Sequence, residues 1–211
     1  MLSFDEINRL DGRDTKVLSI DKFFDETGLT KSQKSDRKEF ARYMDKGLYD
    51  VLAYIHLSLQ RGYDDGIRIA KQRVNDLFLG AVGIALVADT TLMAYAERYA
   101  NEFVDATVRN QETPYFFTSD RARLNAENEA ATAFDYAEFQ EAIDRGRPYK
   151  KWNTMDDLQV RATHEEVNGI ILPITEAFIV GGFPMMYPRD MSAPPQEVAG
   201  CRCWLTFPNK L

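Results

Sequence analysis

The apolar residues between positions 40 and 108 recur at spacings of three and four, and this period constrains the fold more than any other feature. The first stripe consists of Phe40, Tyr43, Met44, Leu48, Val51, Leu52 and Ile55. Residues at that spacing lie on one face of an α-helix and bury against other elements. A second stripe consists of Ile67, Ile69, Val74, Leu77, Phe78 and Val82, and a third of Leu92, Tyr95, Tyr99, Phe103 and Val108. The chain is therefore predicted to pack several long helices together.

Helix ends are predicted from capping residues and helix breakers. Asp36, with Glu39 three residues later, is typical of a capping box, so the first helix is expected to begin near Ser35. The stretch from Thr118 to Asp120 predicts the start of another helix, whose centre is rich in alanine. The expected helices cover 35–61, 64–87, 92–108, 119–144 and, as a shorter element, 155–167.

The sequence pattern changes after position 152. Short apolar runs at 170–173, 178–180 and 201–207 are separated by glycine and proline, as is typical of strands. The stretch 181–195 contains four prolines and is expected to form an ordered loop held by apolar side chains. The expected fold class is therefore α+β, with a mainly helical N-terminal body and a small mixed α/β C-terminal module of short strands.

Three regions are expected along the chain: an N-terminal arm at 1–34, a helical region at 35–150 and a C-terminal module at 151–211. The arm shows no sustained hydrophobic period. Packing on its own domain and docking on a neighbouring molecule both fit such a segment. The helical region and the module either share one core or hold separate cores, and the pattern fits both arrangements.

Composition and charge limit the classes of function. With 211 residues, of which 45% are hydrophobic, the chain is long enough to bury a substantial core. Its net charge of −7 disfavours DNA binding through bulk charge, and the basic cluster at 145–151 is expected to be a solvated loop. The longest apolar stretch, 78–88, is too short to span a bilayer, and the polar N-terminus does not resemble a secretory signal. No membrane association is expected.

His164, Cys201 and Cys203 are the residues best suited to bind a metal. Two residues apart on a predicted strand, the thiols point to the same side, and a histidine from the nearby helix completes three ligands. Such ligands suit zinc, for which Asp190 is the candidate fourth ligand by chemistry alone. In the alternative interpretation, His164 makes a buried hydrogen bond and the two cysteines are packing residues.

The same residues are compatible with two classes of function. A catalytic zinc would make the chain a zinc-dependent hydrolase, with Glu165 as the general base. However, the sequence contains no glycine-rich phosphate loop, nucleophile elbow or H-E-x-x-H helix. A non-enzymatic protein is therefore favoured. In that interpretation, Arg161 and His164 lie one helical turn apart and, with Asp157, hold the helix to the terminal strand.

A long ordered series of residues runs through the C-terminal module. It consists of Trp152-Asn153-Thr154, Asp157, Val160-Arg161, His164, Gly169, Phe178, Gly182, Met186-Tyr187-Pro188, Asp190, Ala193-Pro194-Pro195, Glu197-Val198 and Cys201-Arg202-Cys203. The W-x-T stretch, the arginine and histidine three residues apart, the Y-P-x-D and the closing C-R-C resemble the phage head-morphogenesis proteins. That family is also called the Mu F-like minor head proteins.

The resemblance implies a virion component that is present in the host cytoplasm during assembly. Proteins of this family are minor capsid constituents that associate with the portal vertex and support head assembly and DNA packaging or ejection. The implied partners are the portal protein and, beside it, major capsid or scaffolding protein. Within the series, Trp152, Asp157, Arg161, Gly169 and Tyr187 are expected to form a structural network around the candidate metal ligands.

Overall fold

Helices form most of the N-terminal part of the chain in the computed structural model, which describes residues 19–210. These are α1 (Ile20–Asp25), α2 (Lys31–Arg61), α3 (Gly66–Ala85), α4 (Thr90–Arg109) and α5 (Ser119–Asp144). A short 3-10 helix at Pro114–Phe117 connects α4 to α5. The four long helices expected from sequence are confirmed. The first half of the predicted arm, residues 1–18, lies outside the described residues.

Helix α2 begins four residues earlier than the sequence pattern suggested. Its capping box is formed by Thr30 and Gln33: the Gln33 amide donates to Thr30 Oγ1 at 3.4 Å, and the Thr30 amide donates to Gln33 Oε1 at 2.9 Å. Asp36 and Glu39, the predicted capping pair, are exposed residues inside the helix. The prediction of the start was wrong because a glutamine performs the role expected of the glutamate.

Helix α2 packs against both α3 and α5 and supplies the centre of the main core. The ring of Phe40 meets Phe78 of α3 and Phe134 of α5 edge-on, with ring centroids 5.7 and 6.0 Å apart. Helix α5 approaches its neighbours closely through the buried small residues Ala122, Ala126, Ala130 and Ala133. Ile20 and Phe24 of α1 enter the same core, so this part of the predicted arm packs on its own helical body.

The C-terminal module contains short strands and two single-turn helices. They are β1 (Tyr149–Asn153), α6 (Ala162–Glu165), β2 (Ile171–Pro173), β3 (Phe178–Val180), β4 (Phe183–Met185), α7 (Pro195–Val198) and β5 (Trp204–Thr206). An antiparallel sheet has the order β2-β1-β5, and β3 and β4 form a separate hairpin. The α+β class predicted from sequence is confirmed.

Strand β1 is the central strand of the sheet, yet its sequence did not indicate a strand. Its side chains alternate in burial, and Lys150 and Trp152 are the two that face the interior. The Nζ of Lys150 donates to the Met186 carbonyl at 2.8 Å and lies 4.8 Å from the centre of the Phe139 ring. A buried lysine breaks the apolar alternation from which strands are predicted, so the sequence pattern favours a solvated loop for this basic segment.

Two further predictions in the module were wrong in extent. The helix expected over 155–167 is a single turn at Ala162–Glu165, and residues 154–161 before it lack helical structure. The strand expected over 201–207 begins only at Trp204. In both segments apolar residues are present, but irregular backbone carries them.

Two hydrophobic clusters lie side by side in the molecule. The larger cluster contains buried residues from each of the helices α1, α2, α3, α4 and α5 and includes Tyr187 from the C-terminal module. The smaller one consists of Trp152, Val167, Phe178, Val180, Met185, Cys201 and Cys203. Leu205 of β5 packs against both clusters. The two cysteines therefore lie in the core of the module, close to its boundary with the helical body.

Candidate metal centre

Three residues that are distant in the chain meet inside the C-terminal module. Nδ1 of His164 lies 3.5 Å from Sγ of Cys201 and 3.4 Å from Sγ of Cys203. The three donor atoms all lie within 4.8 Å of one another, and the three side chains are buried. The structure thus brings together the histidine and both cysteines that were singled out in the sequence. Two thiols and an imidazole in this arrangement are able to hold a metal ion.

Turns, and not a strand, place the two cysteines. Helix α7 ends at Val198, and the left-handed backbone of Gly200, with φ of 59°, reverses the chain directly before Cys201. The Cys201 amide donates to the Val198 carbonyl at 3.2 Å. The Cys203 amide donates to Sγ of Cys201 at 3.5 Å, a contact that favours the thiolate form. Both sulfurs therefore face His164 although no strand carries them.

Glu197 lies beside the side of the His164 ring that points away from the sulfurs. While Nδ1 faces the two sulfurs, Nε2 lies 3.3 Å from Oε2 of Glu197. The hydroxyl of Thr163 donates to the same carboxylate oxygen at 2.9 Å. In the sequence, Glu197 is only one member of the ordered series and has no separate role. Its proximity to His164 arises from tertiary structure, because 33 positions separate the two residues (197 minus 164).

The two thiols differ in acidity. Burial alone would raise the pKa of Cys201, but hydrogen bonds from Cys203 and His164 and the positive charge of Arg189 hold that pKa well below the usual value of a thiol. The pKa of Cys203 is raised, first by its hydrogen bond to Cys201 and then by burial. The surroundings of the two thiols therefore favour a thiolate at Cys201.

Asp190, the predicted fourth ligand, does not join this group. Its Oδ2 accepts a hydrogen bond from the Met186 amide at 2.7 Å. Its Oδ1 accepts from the amide and the hydroxyl of Ser192 at 2.9 and 2.6 Å. Both oxygens serve to order the loop around them. The group of possible ligands that the described residues form contains His164, Cys201 and Cys203 and does not include Asp190.

Glu165, the base required by the hydrolase hypothesis, is exposed and points to other partners. Its carboxylate accepts hydrogen bonds from the Thr154 hydroxyl and the Asn168 side-chain amide, both at 3.4 Å. It is not part of the cluster of possible metal ligands that the described residues form. The hydrolase hypothesis thus has no support from the arrangement of these groups.

Trp152 and Gly169 form one side of the pocket. The Trp152 side chain is fully buried, and its ring lies edge-on to the His164 ring, with centroids 5.7 Å apart. The amide of Gly169 donates to the Trp152 carbonyl at 2.8 Å. Gly169 has a φ of 77°, a conformation that favours glycine. These contacts fix the wall of the pocket against which the imidazole packs.

Asp157 and Arg161 fasten the irregular segment before α6 to the chain around the cysteines. Both oxygens of Asp157 accept hydrogen bonds from Arg202, at 2.6 and 2.8 Å. Arg161 donates to the carbonyl of Ala199. Because Arg202 lies between the two cysteines, these bonds hold the His164 segment and the cysteine segment together.

Tyr187 belongs to the larger cluster. Its ring lies beside Tyr136 and Phe139 of α5, with centroids 6.0 and 5.3 Å apart. Of the five residues of the predicted network, Tyr187 is the one that packs in the helical core, so it ties the module to α5.

A buried charge network, which the sequence did not indicate, reaches from the helices to the cysteines. Asp135 of α5 contacts Arg37 of α2 at 3.1 Å and Arg189 of the module at 2.5 Å. Arg189 also donates to the carbonyls of Cys201 and Cys203. Burial raises the pKa of Asp135 to about 6, although the two arginines oppose that rise. The network couples the backbone of the candidate ligands to the helical body.

A separate cleft of about 380 Å³ lies between α4, α5 and the loop that follows β4. Glu129 lines it and accepts hydrogen bonds from the Tyr95 hydroxyl at 2.7 Å and the Asn128 amide at 3.0 Å. Burial raises the pKa of Glu129 to about 7 in spite of these bonds. Polar groups of the helical body and of the module meet there, so an occupant of this cleft would contact both.

Comparison with known families agrees with the ordered residues of the module. The family model described as Phage Mu protein F like protein matches residues 86–206, more than half of the chain. The chain therefore belongs to the Phage Mu protein F like family, the head-morphogenesis family that the sequence resembles. No curated protein and no solved structure gives a significant match. Within residues 19–210, no helix combines the length and the hydropathy that crossing a membrane requires.

Proposed function

We propose that this chain is a non-enzymatic minor head protein of a tailed phage, which associates with the portal vertex and remains in the virion. The family match over residues 86–206 carries the proposal. That segment includes α4, α5 and the module as far as β5. The match thus covers the candidate ligands and the Asp135–Arg189 connection.

The charge of the chain supports a protein partner over a nucleic acid. With a net charge of −7, the chain repels the phosphate backbone unless a local basic surface compensates. Of the predicted basic cluster, Lys150 is buried under Met186 and Arg145 pairs with Glu141 at 2.6 Å. We therefore propose that its role in packaging or ejection is exerted through other head proteins.

Three exposed apolar side chains around the α3–α4 turn support a protein contact there. Val87 is 89% exposed, Met93 52% and Ile84 46%. Exposed apolar residues that occur singly are common, whereas several close together are typical of binding surfaces. Leu158, on the segment before α6, is also exposed but lies far along the chain from this turn. We place the portal contact at the α3–α4 turn.

Co-purification tests the proposal. The tagged chain is produced together with the portal protein, the major capsid protein or the scaffolding protein of the same phage, each separately. Portal recovery is expected, and Val87→Asp should reduce it strongly while leaving the melting temperature unchanged. Leu158→Asp is the matched control and should retain full recovery. Portal-containing heads that assemble at normal yield and never include this chain would contradict the proposal.

A further inference from the structure

We infer that Nδ1 of His164 and the Sγ atoms of Cys201 and Cys203 bind a zinc ion, and that Glu197 is a positioning residue which orients the histidine for that ion. The site is built from α6, the end of α7 and the turn before β5. It pins the segment that carries His164 to the segment that carries both cysteines, independently of any partner in the head.

The two nitrogen–sulfur distances are close to those of a tetrahedral zinc site. Zinc binds sulfur at about 2.3 Å and imidazole nitrogen at about 2.0–2.1 Å, so a nitrogen and a sulfur on the same ion are about 3.6 Å apart. The two distances from His164 Nδ1 to the sulfurs are 3.5 and 3.4 Å. Both sulfurs therefore lie close to where ligands of one ion belong.

Glu197 is placed to act on the histidine and not on the ion. Its carboxylate lies 3.3 Å from Nε2, the ring nitrogen that faces away from the sulfurs. Histidines that bind metals usually donate their second N–H to a carboxylate or carbonyl, which fixes the tautomer and the ring orientation. A proton on Nε2 would direct the lone pair of Nδ1 at the two sulfurs. The Thr163 hydroxyl holds the carboxylate in place at 2.9 Å.

The donor types select the class of metal. Thiolate sulfur and imidazole nitrogen suit zinc, whereas magnesium and calcium prefer oxygen. The side chains of His164, Cys201 and Cys203 are 1, 2 and 4% exposed. Two thiolates buried to this degree would be costly without a cation, and a divalent ion balances them. The ion thereby allows the chain to hold both thiolates in its core.

A water molecule fits the fourth position. A small cavity of about 20 Å³ adjoins the three ligands and is also lined by Arg161, Gly200 and Arg202. A single water needs about 10–15 Å³. Since Asp190 uses both of its oxygens in its own loop, the chain supplies three ligands and leaves this position to solvent.

Metal titration of the full-length protein tests the site. Chelator-stripped protein is titrated with Zn²⁺ in competition with an indicator and, separately, with Co²⁺ as a spectroscopic probe. We expect one ion per chain, a Co²⁺ spectrum with a thiolate-to-metal charge-transfer band, and a higher melting temperature with Zn²⁺. Folded wild-type protein that binds no Zn²⁺, or whose Co²⁺ spectrum lacks the thiolate band, would overturn the inference.

Variants identify the ligands. Cys201→Ser, Cys203→Ser and His164→Ala should each lose the charge-transfer band or weaken Zn²⁺ binding by at least a factor of ten. His56→Ala is the matched control, because His56 is the other histidine of the chain and is exposed on α2. Asp190→Asn should retain the Co²⁺ spectrum. A folded Asp190→Asn protein that loses Co²⁺ as completely as Cys203→Ser would show that the ligand set is wrong.

The positioning role of Glu197 is tested on its own. Glu197→Ala is expected to weaken Zn²⁺ binding about 10–100-fold, as loss of such carboxylates usually does. Glu197→Gln keeps an acceptor for the imidazole N–H and should recover part of the affinity. Circular dichroism confirms that both variants are folded. Equal Zn²⁺ affinity in wild type and Glu197→Ala would overturn this role.

Discussion

Arg189 of the C-terminal module and Asp135 of helix α5 form a buried ion pair, with Nη2 and Oδ2 2.5 Å apart. The same carboxylate contacts Arg37 of α2 at 3.1 Å. Arg189 in turn donates to the carbonyls of Cys201 and Cys203. A single carboxylate therefore connects two helices of the body to the backbone of the candidate metal ligands.

Asp135→Asn is expected to destabilise the protein by about 3–5 kcal/mol, because it leaves the buried Arg189 guanidinium without its counter-charge, whereas Arg37 keeps Glu138. Urea unfolding at neutral pH measures this loss.

Asp157→Asn is the matched control for that substitution. Asp157 pairs with Arg202 at 2.6 Å, but its side chain is 39% exposed. Solvent screens such a pair, so its loss should cost no more than about 1 kcal/mol. Equal losses of stability in the two variants would show that burial does not increase the contribution of the Asp135 pair to stability.

Glu127 should make stability depend on pH. Burial raises the pKa of its carboxyl from the usual 4.5 to about 8, and its Oε1 has no hydrogen-bond partner among the described residues. The folded chain therefore keeps a proton that the unfolded chain releases. That contribution to stability is complete below pH 4.5 and is lost as pH rises to 8, by at most about 1.4 kcal/mol per pH unit.

Glu127→Gln isolates this effect, since glutamine resembles the protonated carboxyl. The variant should gain stability relative to wild type as pH rises from 5 to 8, as measured by urea unfolding across the range. Measurements near pH 4.5 serve as the internal control, because Glu127 of the folded chain is then protonated and, like glutamine, uncharged. A difference that stays constant with pH would contradict the raised pKa.

Gly181 leaves room for Glu197. Gly181 has a φ of 58°, and a methyl group there would overlap the Glu197 carboxylate. Gly182 has a φ of 84° and open space around its Cα, so Gly182→Ala reports the cost of the backbone conformation alone, about 1–3 kcal/mol. Gly181→Ala should cost more than Gly182→Ala in thermal unfolding, because it must also displace the carboxylate. Equal costs would mean that Glu197 moves freely.

The start of α2 is tested by a pair of alanine substitutions. Thr30→Ala removes the acceptor for the Gln33 amide and should cost about 1 kcal/mol in urea unfolding. Asp36→Ala, at the exposed position that the sequence pattern favoured, should change stability by no more than about 0.5 kcal/mol. The reverse order of effects would place the functional cap at Asp36.

The helices could be predicted from sequence because their signal is local. In α2, apolar residues such as Phe40, Met44 and Leu48 indicate the buried face within a few helical turns. Strand β1 could not be predicted, because buried Lys150 is compatible with a strand only where Met186 and Phe139 come to meet it. Those partners lie on other elements, so the sequence around Lys150 does not indicate them.

The candidate site was predictable to a similar degree. His164, Cys201 and Cys203 carry distinctive chemistry, so residue type alone selected them. Asp190 and Glu197 are ordinary acidic residues in the same region, and chemistry alone cannot decide which of them faces the histidine. That choice depends on the turn at Gly181 and on the path of α7, which only the folded chain defines.

Leu205 packs against both hydrophobic clusters, and strand β5 pairs with β1 at Trp152. During synthesis, every described helix leaves the ribosome before this strand does. The helical body has thus been synthesised while Leu205 is still absent from its boundary with the module. Strand β1 then still lacks β5, one of its two neighbours in the sheet. We therefore expect β5 to dock late when the chain folds during synthesis, and its Leu205 then contacts both interiors.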